Sequence, residues 1–153
     1  MRYWLMKTEP GVYGIDDLER DGVSPWEGVR NYQARNLLRD EIAEGDEVLI
    51  YHSNVQPPAV VGIGRVIRAG YPDVCAWEPG HKYYDRRSTP ENPVWYRVDV
   101  AFVERLARPV TLPQMKADPA LAGMMVIRKG ARLSVQPVAE DHFQHIRRLG
   151  SEG

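Results

Sequence analysis

The chain has 153 residues, of which 43% are hydrophobic and 27% are charged. This length suits one domain with a single core, and this composition is typical of a folded protein and excludes a largely disordered one. The formal net charge of −1 argues against a protein that coats phosphates indiscriminately through an excess of Lys and Arg.

The cysteine content and the distribution of apolar residues predict a compartment. The single cysteine, Cys75, cannot form an internal disulfide or build a cysteine-based zinc site alone. No apolar run is long enough for a membrane span, and no charged-then-apolar leader opens the chain. We therefore expect a reducing, cytoplasmic location.

The first half of the chain alternates predicted strands and helices. Residues 3–8 predict a strand that Pro10 and Gly11 end, and Ile15–Asp21 predicts a short helix that stops at Gly22. A longer helix follows from the segment WEGVRNYQARN (26–36) and closes at 44–46. Residues 48–52 and 60–67 predict strands, and Gly62 with Gly64 on one face of the second indicates a sharp bend or a close approach of another backbone.

The second half predicts a long loop, strands and two helices. Residues 69–93 are rich in Pro, Gly, aromatic residues and Arg, which indicates an ordered and functional surface segment. Residues 94–106 alternate as a strand, Thr111 caps a helix start, and 133–136 predicts a brief strand broken by Pro137. The spacing of Phe143, Ile146 and Leu149 predicts a final helix ending at Gly150. The sum is an α+β fold, a strongly bent, mainly antiparallel sheet or open barrel of about five strands flanked by helices.

The segment 26–36 carries the strongest functional signal. Ala34, Leu37, Leu38 and Ile42 form an inward apolar stripe, and stepping back along it places Arg30 and Asn31 near the same face. Buried amides and guanidiniums need partners. Either the protein supplies them, with Trp26 in the core and Asn31 capping the helix, or Trp26, Asn31 and Tyr32 form an aromatic and amide pocket for a base.

Other candidate groups predict binding and not catalysis. His52 follows a strand without a Ser, Cys or Asp companion pattern, whereas Ser53 and Asn54 are suitable pocket donors. The spacing of His142 and His145 is a weak metal signal, and Cys75 is interpreted as a packed side chain. We predict no catalytic residue, metal site or cofactor.

Several ordered motifs resemble the EVE domain of the PUA-like superfamily, which includes the thymocyte nuclear protein family and bacterial stand-alone relatives. They are WLMKTEP (4–10), WEGVRNYQARN (26–36), GDEVLIYHSN (45–54), VVGIGRV (60–66), YPD (71–73) and RLSVQPV (132–138). Together they span nearly the whole chain. The resemblance implies a single PUA-like β-barrel domain over residues 1–150, flanked by helices, with 151–153 as a tail.

The resemblance also implies a function and a set of site residues. PUA-like domains bind RNA, and the related YTH domains hold a methylated adenine in an aromatic cage. EVE domains resemble readers of modified bases, and modified cytosine in DNA is the ligand proposed for the thymocyte nuclear family. Matching motif positions give a base pocket of Lys7, Thr8, Trp26, Val29, Arg30, Asn31, Tyr32, His52, Ser53 and Asn54. Arg35, Arg128, Lys129 and Arg132 are the implied phosphate ligands. The chain begins almost at its first strand, without the basic extension of the eukaryotic members, which also favours the cytoplasm.

Three functional hypotheses follow. The first is a non-enzymatic reader that accepts a modified base of RNA or DNA into a preformed pocket. The second is a small nuclease or base-processing hydrolase using His52 with Asp73 or Lys7. The third is a small-molecule or protein-interaction module that uses the same cavity.

Overall fold

The protein folds around one six-stranded mixed sheet. The computed structural model describes residues 1–130 and 132–151. The strands are β1 (Tyr3–Thr8), β2 (Val23–Pro25), β3 (Glu47–His52), β4 (Ala59–Pro72), β5 (Tyr96–Thr111) and β6 (Val135–Val138). Their order in the sheet is β2-β5-β4-β3-β1-β6. The helices are α1 (Pro10–Tyr13), α2 (Ile15–Asp21), α3 (Tyr32–Asn36), α4 (Leu112–Ala117) and α5 (Glu140–Ser151), with a π-helical turn at Leu37–Glu41 directly after α3.

The sheet is buried on both faces because successive side chains of a strand point to opposite sides. Trp4, Met6, Val48 and Ile50 face one core, which α2, α3 and Trp26 complete. Leu5, Leu49 and Tyr51 face the other core, which α4 and α5 complete through Met115, Phe143 and Ile146. The buried parts of β1 and β3 are therefore continuous apolar runs. The fold class is α+β.

The predicted closure into a barrel is not what the strand pairing gives. Within residues 1–130 and 132–151, β2 pairs only with β5 and β6 pairs only with β1, so the sheet has two edges. The prediction of mainly antiparallel pairing is confirmed, because four of the five strand pairs within these residues are antiparallel. The exception is β1 with β3, which are parallel, with Tyr3 opposite Glu47 and Thr8 opposite His52. A parallel pair needs a crossover, and α1, α2, β2 and α3 lie in that connection.

Two of the three glycines of β4, Gly62 and Gly64, allow the close approach that the sequence predicts. A Cβ at Gly62 would lie 2.4 Å from Ile15 Cδ1 and 2.9 Å from the Glu104 carbonyl oxygen. A Cβ at Gly64 would lie 2.5 Å from Val100 Cγ1. The register between β4 and β5 shifts next to both positions, so this long strand pair bends while it stays paired.

Other boundaries differ from the predictions for local reasons. The segment 26–36 starts as extended chain, with the Trp26 N–H donating to the Val98 carbonyl at 2.7 Å, and becomes helical only at Tyr32. Pro137 does not end its strand, because β6 is an edge strand where a missing N–H costs little. Helix α5 includes Ser151, whereas residues 152–153 of the predicted tail lie outside the described residues. In the part of the chain that is described, no helix has the length and apolar character to cross a membrane.

Candidate functional site

The start of α3 separates two cavities. Residues on opposite sides of this segment line different spaces, so Arg30 and Tyr32 face one cavity of about 310 Å³, while Asn31 and Gln33 face another of about 450 Å³. We call the first the aromatic cavity, lined also by Lys82, Tyr83, Tyr84, Asp85, Arg87 and Trp95. We call the second the basic cavity, lined also by Met125, Arg128, Lys129, Gly130, Arg132 and Leu133.

Stacked rings form one wall of the aromatic cavity. The rings of Tyr32 and Trp95 stack with centroids 5.0 Å apart and an interplanar angle of 28°. Trp95 is 2% exposed, and Tyr32 is 51% exposed and covers it from the solvent side. The Trp95 indole Nε1–H donates to Asp85 Oδ2 at 2.8 Å, which fixes the ring. An exposed, supported ring of this kind is a stacking surface for a flat ligand.

A buried carboxylate, Asp73, organises the floor of the same cavity. Asp73 is fully buried and accepts hydrogen bonds from the Gly28 N–H at 3.0 Å and from Arg30 Nη1 at 3.0 Å. Burial alone raises the pKa of Asp73, but these two donors outweigh it and hold the pKa below its usual range. Arg30 Nη2 in turn donates to the Tyr83 carbonyl at 2.7 Å, so Arg30 is held to Asp73 by an ion pair and to the 81–87 loop by a hydrogen bond.

Gly28 lets that loop approach. Its φ of 79° lies in the left-handed region, and a Cβ there would lie 2.4 Å from the Tyr83 ring. Tyr83 therefore packs directly on the Gly28 backbone, with the Arg30 guanidinium 5.4 Å from its ring centroid. The aromatic cavity depends on a residue without a side chain at this position.

The basic cavity has a different chemistry. Arg128, Lys129 and Arg132 are exposed, and within the described chain no carboxylate forms an ion pair with any of them. Arg128 Nη2 donates to the Gly123 carbonyl at 3.2 Å. By contrast, Arg30 and Arg87 of the aromatic cavity are paired with Asp73 and Asp85. Three cations without a carboxylate partner in the described chain thus line the basic cavity, compared with Lys82 alone in the aromatic cavity, and this suits the basic cavity for anions.

In the structure, the 26–36 segment combines features of both interpretations, because some of its residues are buried in the core and others line a cavity. Trp26 and Val29 are core residues, 8% and 9% exposed. Asn31 is exposed and not inward as predicted, and its Oδ1 caps α3 by accepting from the Ala34 N–H at 3.0 Å. The protein supplies partners for Arg30 Nη1 and Nη2 and for Asn31 Oδ1. The buried Arg30 Nε has no hydrogen-bond partner among the described residues, and the side chains of Arg30 and Asn31 each line a cavity.

Lys7, Thr8, His52, Ser53 and Asn54 form a separate group where β1 and β3 end side by side. Thr8 Oγ1 donates to the Tyr13 carbonyl at 2.6 Å, and Asn54 Nδ2 donates to Glu9 Oε1 at 2.5 Å. None of the five is among the lining residues of the two cavities. The group adjoins the basic cavity through the Lys7 N–H, which donates to the Ser134 carbonyl at 2.9 Å, next to the lining residue Leu133.

His52 has the environment of a structural acceptor. Its Nε2 accepts the Ile15 N–H at 3.1 Å, and burial lowers the pKa of the ring. Asp73, its hypothetical catalytic partner, is instead bonded to Gly28, Arg30 and Cys75. Among the described residues no hydrogen bond joins His52 to Asp73, so the pairing that the Asp73 form of the hydrolase hypothesis requires is absent. The form that pairs His52 with Lys7 stays a hypothesis.

Arg35 lies on the aromatic side of α3. Its Nη1 donates to the Val94 carbonyl at 2.7 Å, and its guanidinium lies 5.0 Å from the centroid of the Tyr32 ring. It therefore supports the exposed face of Tyr32 and is separate from Arg128, Lys129 and Arg132, with which the sequence groups it.

One described group has the donor atoms of a metal site. Ligand atoms of Glu27, Cys75 and His81 lie within 4.8 Å of one another. However, Arg97 Nη1 donates to Glu27 Oε2 at 2.8 Å and occupies the place of a cation. Burial, followed by the hydrogen bond to Glu27, raises the pKa of the Cys75 thiol to about 12, and the Tyr83 N–H donates to His81 Nδ1 at 3.1 Å. This arrangement is a hydrogen-bonded cluster in which the arginine serves as the cation.

Sequence reasoning missed most of the aromatic cavity. Its unpredicted members are Lys82, Tyr83, Tyr84, Asp85, Arg87 and Trp95. The density of aromatic residues and Arg in 69–93 marks this segment as functional, but nothing local shows that it folds over Tyr32. The alternation of residues 94–106 places Trp95 on the strand face opposite Val94 and Tyr96. It does not predict which side chain stacks on the Trp95 ring.

Comparison with known proteins places these features in a family. Residues 2–149 match the EVE domain. Human thymocyte nuclear protein 1 is 37% identical over 162 residues, which cover 94% of this chain and 72% of that protein. An uncharacterized protein of Schizosaccharomyces pombe is 39% identical, over 99% of this chain and 69% of its own length.

Solved structures agree with the sequence comparison. A protein from Pseudomonas syringae is 42% identical with a TM-score of 0.91, covering 97% of this chain and 99% of that one. Human THYN1 protein in complex with DNA containing 5-methylcytosine is 34% identical with a TM-score of 0.90, covering 100% of this chain and 99% of that one. The match over nearly the whole chain, in sequence and in structure, shows that this protein belongs to the EVE domain family.

Proposed function

We propose that residues 1–150 form a single non-enzymatic nucleic-acid-binding domain that reads a modified base, with modified cytosine in DNA as the leading ligand. The observation that carries the proposal is the pair of adjoining cavities at the start of α3, one aromatic and one with unpaired cations. The human relative in complex with DNA that contains 5-methylcytosine supports the choice of ligand.

The aromatic cavity is the place for the base. Its volume of about 310 Å³ lies within the range of small-ligand pockets. Tyr32 offers a ring on which the base stacks, while Arg30 and Asp85 offer a donor and an acceptor for its edge. A modified base enters after it leaves the stack, which costs a few kcal/mol in a duplex and less in a single strand.

The basic cavity is the place for the backbone. Arg128, Lys129 and Arg132 hold phosphates, and Asn31 and Gln33 contribute amide donors. Lys7, Thr8, His52, Ser53 and Asn54 border this path and, together with the core residues Trp26 and Val29, hold its walls in place. The strand thus crosses the start of α3, with base and phosphate on opposite sides.

The experiment is a titration of fluorescently labelled oligonucleotides that differ only in cytosine or 5-methylcytosine, in DNA and RNA, single- and double-stranded. We expect tighter binding of the modified strand. Tyr32→Ala should weaken it by about 1–3 kcal/mol through lost stacking. Val12→Ala is the control, since Val12 is 58% exposed and lines neither cavity. Equal affinity of the wild type for modified and unmodified strands would refute the reader function.

A further inference from the structure

A reader of 5-methylcytosine in DNA must distinguish this base from thymine, and the methyl group does not distinguish them. Thymine carries the same methyl group at the same position and differs at position 4, where it presents a carbonyl acceptor and cytosine presents an amino donor. A cavity that recognised only the methyl group and the ring would bind thymine as well. A reader of this base therefore requires a hydrogen-bond acceptor aimed at position 4.

Asp85 has the chemistry of such an acceptor. Among the residues that line the aromatic cavity in the described chain, it is the one carboxylate. Its side chain is 15% exposed, so it forms the wall and does not extend into solvent. Its backbone is anchored, because the Asp85 N–H donates to the Ala76 carbonyl at 3.0 Å.

The partners of Asp85 keep it charged and oriented. Arg87 Nη2 and the Trp95 indole both donate to Oδ2 at 2.8 Å. The hydrogen bonds from Arg87, and then that from Trp95, hold the pKa of Asp85 well below its usual range, so it is ionised at neutral pH. The Trp95 bond is fixed by a buried ring, whereas the Arg87 side chain is 64% exposed and can swing away into solvent. A ligand amino group would take the place of Arg87.

We propose, as an extension of the function proposed above, that Asp85 is the specificity-determining residue that accepts the 4-amino group of the modified cytosine and rejects thymine. The carboxylate attracts the amino donor and repels the thymine carbonyl, so one group provides both the favourable contact and the exclusion. Tyr32 and Trp95 hold the ring, and Asp85 identifies it.

The test compares three single-stranded DNA oligonucleotides that differ at one base: 5-methylcytosine, thymine and 5-methyl-2-pyrimidinone, which lacks any group at position 4. The wild type should prefer 5-methylcytosine to each of the others by about tenfold or more. Asp85→Asn should reduce the preference over thymine to nearly one, because an amide can donate to the thymine carbonyl as well as accept from the cytosine amino group. Arg87→Gln is the matched control, since it removes the same ion pair but keeps the carboxylate. It should preserve the ratio whatever it does to overall affinity.

The outcomes separate the inference from the function on which it rests. A fourth oligonucleotide with cytosine at the same position is titrated alongside. A wild type that discriminates 5-methylcytosine from cytosine while Asp85→Asn keeps full discrimination against thymine overturns the role of Asp85 alone. A wild type that does not prefer 5-methylcytosine to cytosine overturns the reader function and this inference with it. If Asp85→Asn fails to fold, the wild type with 5-methyl-2-pyrimidinone decides, because affinity equal to that for 5-methylcytosine contradicts any recognition at position 4.

Discussion

At the scale of single residues, Asp73 connects the two segments that face each other across the aromatic cavity. It is fully buried, bonded to the Gly28 N–H and paired with Arg30, whose other nitrogen bonds to Tyr83. A buried charge is costly unless it is paired, so loss of either partner leaves the other uncompensated. The shape of the cavity and part of the stability of the fold depend on the same ion pair.

We expect Asp73→Asn to lower the free energy of unfolding by about 2–3 kcal/mol, because Arg30 loses its counter-ion while the amide keeps some hydrogen bonds. Urea denaturation measures the change. Asp16→Asn is the control, since it removes an ion pair with Arg105 at a side chain that is 84% exposed. It should change stability by less than about 1 kcal/mol. Equal changes in unfolding free energy for the two substitutions would mean that the buried ion pair contributes no more to stability than the exposed one.

His52 predicts a dependence of stability on pH. Burial lowers its pKa from the ordinary 6.5, and its Nε2 must be unprotonated to accept the Ile15 N–H. The unfolded chain therefore binds the proton more readily, so this contribution is complete above about pH 6.5 and is lost as the pH falls through the lower folded pKa. We expect the unfolding free energy of the wild type to drop on acidification more than that of His52→Gln, measured by urea denaturation at several pH values. Parallel curves for the two proteins would exclude this role.

At the scale of elements, the backbone of the segment from Trp26 to α3 is extended at its start, turns in the middle and is helical at its end. This geometry creates the two cavities. Trp26 continues the extended chain after β2, Gly28 turns with a φ of 79°, and Asn31 caps the helix. The turn at Gly28 brings Tyr83 against the backbone. The same eleven residues thus supply core, cap and cavity wall in succession.

We expect Gly28→Ala to destabilise the protein by about 1–3 kcal/mol, since it adds backbone strain and a Cβ that would collide with Tyr83. It should also weaken oligonucleotide binding, because Tyr83 lines the aromatic cavity. Gly11→Ala is the matched control, since nothing lies within 4 Å of a Cβ there and no positive φ is recorded for it. Thermal unfolding and binding titrations of both variants check this, and a Gly28→Ala protein that melts like the control would show that the loop adapts.

At the scale of the whole molecule, a net charge of −1 is compatible with nucleic-acid binding because the charges are unevenly paired. Most arginines near the site have carboxylate partners, as Arg30, Arg87 and Arg97 do. Among the described residues, Arg128, Lys129 and Arg132 of the basic cavity have no carboxylate partner, and neither do Arg35 and Lys82. The backbone term of the affinity is therefore modest and local, and base recognition carries a larger share.

We expect the affinity for oligonucleotides to fall as the salt concentration rises, with a shallow slope because few phosphates are contacted. Substituting Arg128, Lys129 or Arg132 by Gln should each reduce the slope of log affinity against log salt by about one. Arg20→Gln is the control, since Arg20 lies on α2 and is already neutralised by Asp17 and Asp21. Its slope should equal that of the wild type. Unchanged slopes in all of the basic-cavity variants would place the backbone elsewhere on the surface.

Local patterns predicted the features that depend on neighbours in the chain. Gly22 is the C-cap of α2, Thr111 caps α4, and Ala34, Leu38 and Ile42 are buried, all as predicted, whereas Leu37 of the same stripe is only partly buried. The order of the motifs also identified the family, which the EVE domain match over residues 2–149 confirms. These follow from capping, periodicity and motif order, which a sequence carries directly.

The tertiary structure alone decided the parallel pairing of β1 with β3, the open sheet and the composition of the aromatic cavity. Tyr32 meets Trp95, Arg30 meets Tyr83, and Asp73 meets Gly28 across long stretches of chain. Such contacts depend on how the elements pack against one another, and no spacing within either segment encodes them. The sequence by itself determined the family, the core stripes and the segment that matters, while the three-dimensional packing decided which partners complete the site.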